Sequence, residues 1–152
     1  MKNNKGFSII ELIIVIVIIA VLGSVFTPLL VKYISKARLS TDIDTAGKIS
    51  SAMERALSNE KVRDNAVIHV GDPHPVNDID GGEFRNEVFN ILNVDAIKGK
   101  IRKDVDGNLL ENGTPAFYYT LDTSKNKIVI YYGGKTEDYQ IYPITGKKLL
   151  DY

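Results

Sequence analysis

Leu12 to Val31 is a run of 20 positions without a charged side chain, and it limits what this chain can become. At 1.5 Å per residue, a helix of about 20 apolar residues crosses the roughly 30 Å hydrocarbon core of a bilayer. One carboxylate, Glu11, stands where the run begins. An ionised side chain in a membrane segment costs on the order of 3 kcal/mol, so Glu11 is a functional candidate by default. The run exceeds the roughly 7 to 15 apolar residues of a conventional secretory signal. The cut positions that follow it, such as Val21-Leu22-Gly23, are indifferent ones. Charge does not orient the segment, because Lys2 and Lys5 lie on one side and Lys32, Lys36 and Arg38 on the other.

Two helix-weakening residues interrupt the run. Pro28 lacks an amide proton and crowds the preceding turn, and Gly23 is entropically costly, so the helix is softest between them. Beyond Val31 the sequence turns amphipathic without a break. Leu39, Ile43, Ala46, Met53 and Leu57 recur at helical spacing, while Lys36, Ser40, Asp44, Lys48 and Arg55 take other faces. The pattern predicts one helix from Phe7 to Asn59, about 80 Å long, of which only about 30 Å fits a membrane. The outer half must then project, with its stripe covered by the chain that follows. A coiled coil is the competing reading, but the stripe lasts under three heptads and has Ser50 in register.

The remaining chain reads as a small α+β domain. Turn formers crowd Asn59 to Gly82, with Ala66 to Val70 as a short strand or extended linker. His69 and His74 read as surface loop residues, since two imidazoles alone make a poor metal site. A short helix has Asp80 or one of the glycines after it near its start and carries Phe84, Val88, Phe89, Ile91 and Leu92 on one face. Ile97 to Ile101, with the basic run Lys98, Lys100, Arg102 and Lys103, reads as a solvated strand edge rather than a nucleic-acid contact. Asp104-Val-Asp106-Gly107-Asn108 misses the spacing of a calcium loop and is explained by a hairpin turn. Three strands follow, at Phe117–Leu121, Ile128–Tyr132 and Tyr139–Tyr142, as an antiparallel meander able to cover the helix stripe. Seven of the eight tyrosines fall in this last region, where packing and subunit contact take precedence over ligand stacking.

Composition excludes several functions. At 152 residues there is room for one modest globular domain. Residues 1–38 carry a surplus of four positive charges, and because the chain balances 19 basic against 19 acidic residues, the rest carries the matching deficit. That mildly acidic part gives no electrostatic argument for nucleic acid, which stays an open question. Without cysteine there is no disulfide, thiol nucleophile or thiolate metal site. No nucleophile pattern accompanies the histidines and no phosphate-cradling glycine loop occurs, so neither an enzyme nor a cofactor or metal is expected.

Lys5-Gly6-Phe7-Ser8-Ile9-Ile10-Glu11, followed by the apolar run, resembles the prepilin signature of the type IV pilin superfamily. Ser8 replaces the more usual threonine. The resemblance implies the pilin fold, a long N-terminal helix packed against a C-terminal antiparallel sheet. It divides the chain into a leader (1–6), a helix (7–59, with 7–31 transmembrane and then filament core, 32–59 amphipathic) and a globular region (60–152). It implies cleavage between Gly6 and Phe7 by a prepilin peptidase, and N-methylation of Phe7. Glu11 then either interacts with its own helix terminus or pairs with the Phe7 amine of a neighbouring subunit, and the resemblance favours the second. Gly23 and Pro28 mark where the helix loses regularity on assembly.

The implied partners are further copies in a helical filament, the peptidase, the assembly platform with its ATPase machinery, and the cytoplasmic membrane before assembly. The globular region lies outside the membrane, and the assembled pilus stands on the cell surface. Two other functions compete with a pilus subunit: a pseudopilin of a type II secretion or DNA-uptake system, and a monomeric membrane-anchored binding module using the tyrosine-rich sheet. The chain departs from many pilins in having no C-terminal disulfide, and some pseudopilins bind calcium in C-terminal loops.

Overall fold

The computed structural model describes residues 6–67, 69–79, 82–100, 117–122 and 127–150. It divides into two compact units, residues 1–36 and 37–152. Helix α1 runs from Ile9 to Leu57. In the first unit every described side chain except the half-buried Ser35 is exposed. α1 is long and apolar enough to cross a membrane, and none of its apolar window is buried within the chain.

The second unit contains the core. Of the anticipated stripe, Leu39, Ala46, Met53 and Leu57 are buried and Ile43 packs partly buried against the same cluster. Lys36, Ser40, Asp44, Lys48 and Arg55 are exposed. The stripe shares its cluster with residues of the sheet and of the helix Gly82–Leu92, so the chain itself provides the cover that a coiled coil would otherwise supply. α1 ends two residues before the expected Asn59. That asparagine instead caps α2 (Glu60–Asp64), its side chain accepting the Lys61 N–H at 3.2 Å. Asparagine competes with the backbone of a helix interior and is favoured at an N-cap, which explains the break.

Strand β1 is His69–Pro75, later than the expected Ala66–Val70. It holds Pro73 and Pro75, which a strand tolerates at a sheet edge, and it bulges between His69 and His74 with Gly71 at φ 78°. A 3₁₀ turn, Val76–Asp78, follows. Helix α3 (Gly82–Leu92) buries Phe84, Val88 and Phe89 as its periodicity requires. Of the two expected starts, Asp80 lies outside the described residues and a glycine, Gly82, is where the described helix begins. α3 stops in a Schellman arrangement: Val94 N–H donates to Phe89 C=O at 3.3 Å, Asn93 N–H to Asn90 C=O at 3.2 Å, and Asn93 takes the left-handed φ of 54°.

Strands β2 (Phe117–Asp122), β3 (Lys127–Tyr132) and β4 (Gln140–Tyr142) complete a four-stranded antiparallel sheet in the order β1-β2-β3-β4. β2 and β3 pair without a slip from Phe117↔Tyr132 to Asp122↔Lys127, with the Phe117 and Tyr132 rings edge to face at 4.9 Å. Tyr139, expected to open the last strand, closes the 3₁₀ turn Glu137–Tyr139. A last helical turn, α4, spans Lys147–Leu150. The α+β fold, a long N-terminal apolar helix followed by an antiparallel sheet, is therefore present.

Residues 97–100 do not form the anticipated strand edge. They are held by side chains. The Asn77 carboxamide donates to Ile97 C=O and accepts from Ile97 N–H, both at 2.9 Å, imitating one rung of a ladder. Asp42, buried on α1, accepts the Lys100 N–H with both oxygens at 2.9 and 2.8 Å. Gly99 lies so close to Tyr132 that a Cβ would overlap the ring. Residues 101–103 of the basic run, and the Asp104–Asn108 loop, lie outside the described residues.

Candidate functional site: the N-terminal turn of the long helix

The motif residues sit at the open end of α1. Gly6 is exposed, with no atom within 4 Å of where a Cβ would stand, and Phe7 is 76% exposed, so the bond between them is accessible. Ser8 precedes the first helical residue, which makes Glu11 the third residue of the helix. Glu11 Oε2 accepts the Ser8 N–H at 2.8 Å. This is the carboxylate half of a capping box: the first amides of a helix have no internal partner, and a glutamate at the third position reaches back to satisfy one. It also sets a negative charge at the positive end of the helix dipole.

Within one chain, therefore, Glu11 serves its own helix terminus. The S-x-x-E pattern of Ser8-Ile9-Ile10-Glu11 before an apolar run was the available sequence signal for this contact. A partner amine on another chain is a separate matter that one chain does not contain.

α1 passes through Gly23 and Pro28 without interruption. Pro28 has no N–H, so the Ser24 carbonyl lacks its usual intrahelical donor. Nearby hydroxyls bond back to the helix: Ser24 Oγ donates to Val21 C=O and Thr27 Oγ1 to Gly23 C=O, both at 2.7 Å. Such back-bonding is associated with helix bending rather than with reinforcement.

The remaining candidates take structural positions. His69 and His74 lie on β1, not in a loop. Their rings stack at 4.3 Å and 8°, and both meet Tyr119 edge-on. Pairing across β1 and β2 brings these three rings together, which turn composition alone did not reveal. Among the described residues no three His, Asp or Glu side chains gather as a metal site. Tyr118, Tyr119 and Tyr132 are buried, so half of the six described tyrosines of the sheet region are withdrawn from any ligand surface. Asp42 and Asn77, which hold residues 97–100, are polar residues of the fold that sequence reasoning missed.

Comparison with known proteins bears on the N-terminal segment. Residues 1–27 match the family described as the prokaryotic N-terminal methylation motif, the signature of type IV prepilins. The first 27 residues are therefore similar to the start of a type IV prepilin. It is 34% identical over 65 residues to the type IV major fimbrial protein FimA of Dichelobacter nodosus, an alignment spanning 43% of this chain and 41% of that relative. No solved structure matches.

Proposed function

We propose that this chain is a structural subunit of a type IV pilus, cut between Gly6 and Phe7 and polymerised through α1. The observation that carries the reading is the coincidence, in one N-terminal segment, of the methylation motif with Glu11 at the head of an apolar helix that its own chain leaves unburied. In the bilayer the Ser8 amide holds the Glu11 carboxylate at the helix end. Cleavage then creates an ammonium at Phe7. When subunits leave the membrane and α1 enters a bundle of apolar helices, an unpaired carboxylate is costly, and only the correct axial stagger brings it a neighbour's Phe7 amine. The pair sets register much as a buried polar residue does in a coiled coil.

The segment from Gly23 to Pro28, already short of one backbone bond at Ser24, is where α1 yields during that transfer. Before assembly the chain is a single-pass protein of the cytoplasmic membrane with the sheet domain outside, served by the peptidase and the assembly platform. A pseudopilin would share each N-terminal feature, and the description of the relative as a major fimbrial protein favours the pilus. The buried tyrosines weigh against a monomeric module that binds ligand with the sheet.

Whole-cell immunogold labelling tests the reading. Long labelled surface fibres are expected; labelling confined to short stubs or to the cell envelope would assign the chain to a secretion or uptake machine instead.

A further inference from the structure

Between Lys5 and Lys32 the chain has no basic residue, and between Glu11 and Asp42 it has no acidic one. Lys32, Tyr33 and Lys36 therefore make the first charged turn of α1 after its apolar run. About 20 apolar residues span the hydrocarbon core, so a run from Leu12 to Val31 ends at its edge and the next turn stands among the lipid headgroups. All three side chains are exposed, Tyr33 at 75%.

The local sequence gives this turn no counter-charge. Lys32 and Lys36 are four apart on one helical face, and a like-charged pair at that spacing weakens a helix. No acidic residue lies three or four positions from either of them. Farther along α1 a lysine at the same spacing is paired: Lys48 meets Asp44 at 2.7 Å. The Lys32 and Lys36 side chains also point the right way for a partner in the bilayer surface. Cα–Cβ bonds tilt toward the N-terminus of a helix, here the membrane end, so both stems lean back along apolar surface and bring their ammonium groups to headgroup level. Tyrosine supplies the amphipathic ring favoured at that level.

We propose that Lys32 and Lys36, with the Tyr33 ring beside them, hold the phosphate of an anionic phospholipid in the outer leaflet, so that a subunit waiting in the membrane gathers such lipids around its outer end. The proposal rests on the membrane topology above. Two features carry it: the charge is complementary to an anionic headgroup, and the surface is continuous with the apolar run that enters the bilayer. On that topology the lysines stand on the outer side, against the usual cytoplasmic bias of basic residues, so translocation does not account for them. Removal of the leader takes Lys2 and Lys5 with it, and Lys32 becomes the first basic side chain of the subunit. The processed chain then attracts anionic lipid through basic side chains at its outer end alone.

The chain has no tryptophan, so Tyr33→Trp places a single reporter in this turn and keeps an interfacial ring there. The full chain carrying it is reconstituted into vesicles of phosphatidylcholine and phosphatidylglycerol at one fixed ratio. The vesicles are prepared twice, with bromine on the acyl chains of one lipid or of the other. Bromine quenches an indole only at close range, so the two quenching efficiencies report the local lipid ratio, and their sum checks that each variant inserts. Phosphatidylglycerol should be enriched about fivefold or more over the bulk ratio. The enrichment should fall in Lys32→Gln/Lys36→Gln, stay in Lys2→Gln/Lys5→Gln, and weaken toward ~1 M salt, where the Debye length shrinks to about 3 Å. Quenching that follows the bulk ratio would overturn the proposal and leave the lysines to an acidic protein surface. Enrichment that survives the loss of both lysines would overturn it equally. An indole quenched by neither lipid would show that the segment does not enter the bilayer, which sinks the membrane reading and the proposal together.

Discussion

On the proposed reading Glu11 does different things before and after assembly, and substitution separates them. Glu11→Ala removes a local contact worth under about 1 kcal/mol at an exposed helix start, so the solubilised chain should keep its stability. Incorporation into filaments should fall at least tenfold, measured as the chain recovered in the sheared surface fraction. The opposite balance holds at Asp42. This buried carboxylate is bonded to the Lys100 amide, and Asp42→Ala should lower unfolding free energy by about 1–3 kcal/mol through the unsatisfied N–H. Asp42→Asn, which keeps one acceptor oxygen, should lose less in the same denaturant titration. Asn77→Ala removes two bonds to Ile97 and should cost about 1–3 kcal/mol by the same measurement.

The elements differ in how legible they were. The long helix and its stripe could be read from Leu39, Ala46, Met53 and Leu57 because helical period is a local property of sequence. α3 and the β2–β3 pair were equally open to reading, for the same reason. The clamps on residues 97–100 were not: Asp42 and Lys100 lie 58 residues apart and Asn77 and Ile97 lie 20 apart, and no spacing rule links them. β1 was misplaced because its prolines read as turn formers, whereas an edge strand with a bulge accommodates them. At the candidate site, Gly6, Phe7 and Glu11 were legible from the motif, and a contact of Glu11 with its own helix terminus was one of its two expected uses, though the Ser8 amide was not named as the partner. Within α1, Pro28→Ala should restore the missing bond to Ser24 and raise helicity in micelles by circular dichroism. If the segment must yield on assembly, the same variant should assemble less well, read as filament mass per cell.

At the scale of the molecule, the core is drawn only from Leu39 onward, while the first unit buries none of its described apolar side chains. A chain starting at Ala37 should therefore fold without detergent and melt cooperatively by near-ultraviolet dichroism. On the proposed reading, residues 7–36 serve a second environment, the bilayer and then the filament. One measurement joins processing to polymerisation: the mass and N-terminal sequence of the chain recovered from sheared, purified surface filaments. A subunit beginning at N-methylated Phe7 is the expected result. A subunit that keeps Met1, begins elsewhere, or is missing from the filament fraction while abundant in the membrane would contradict it.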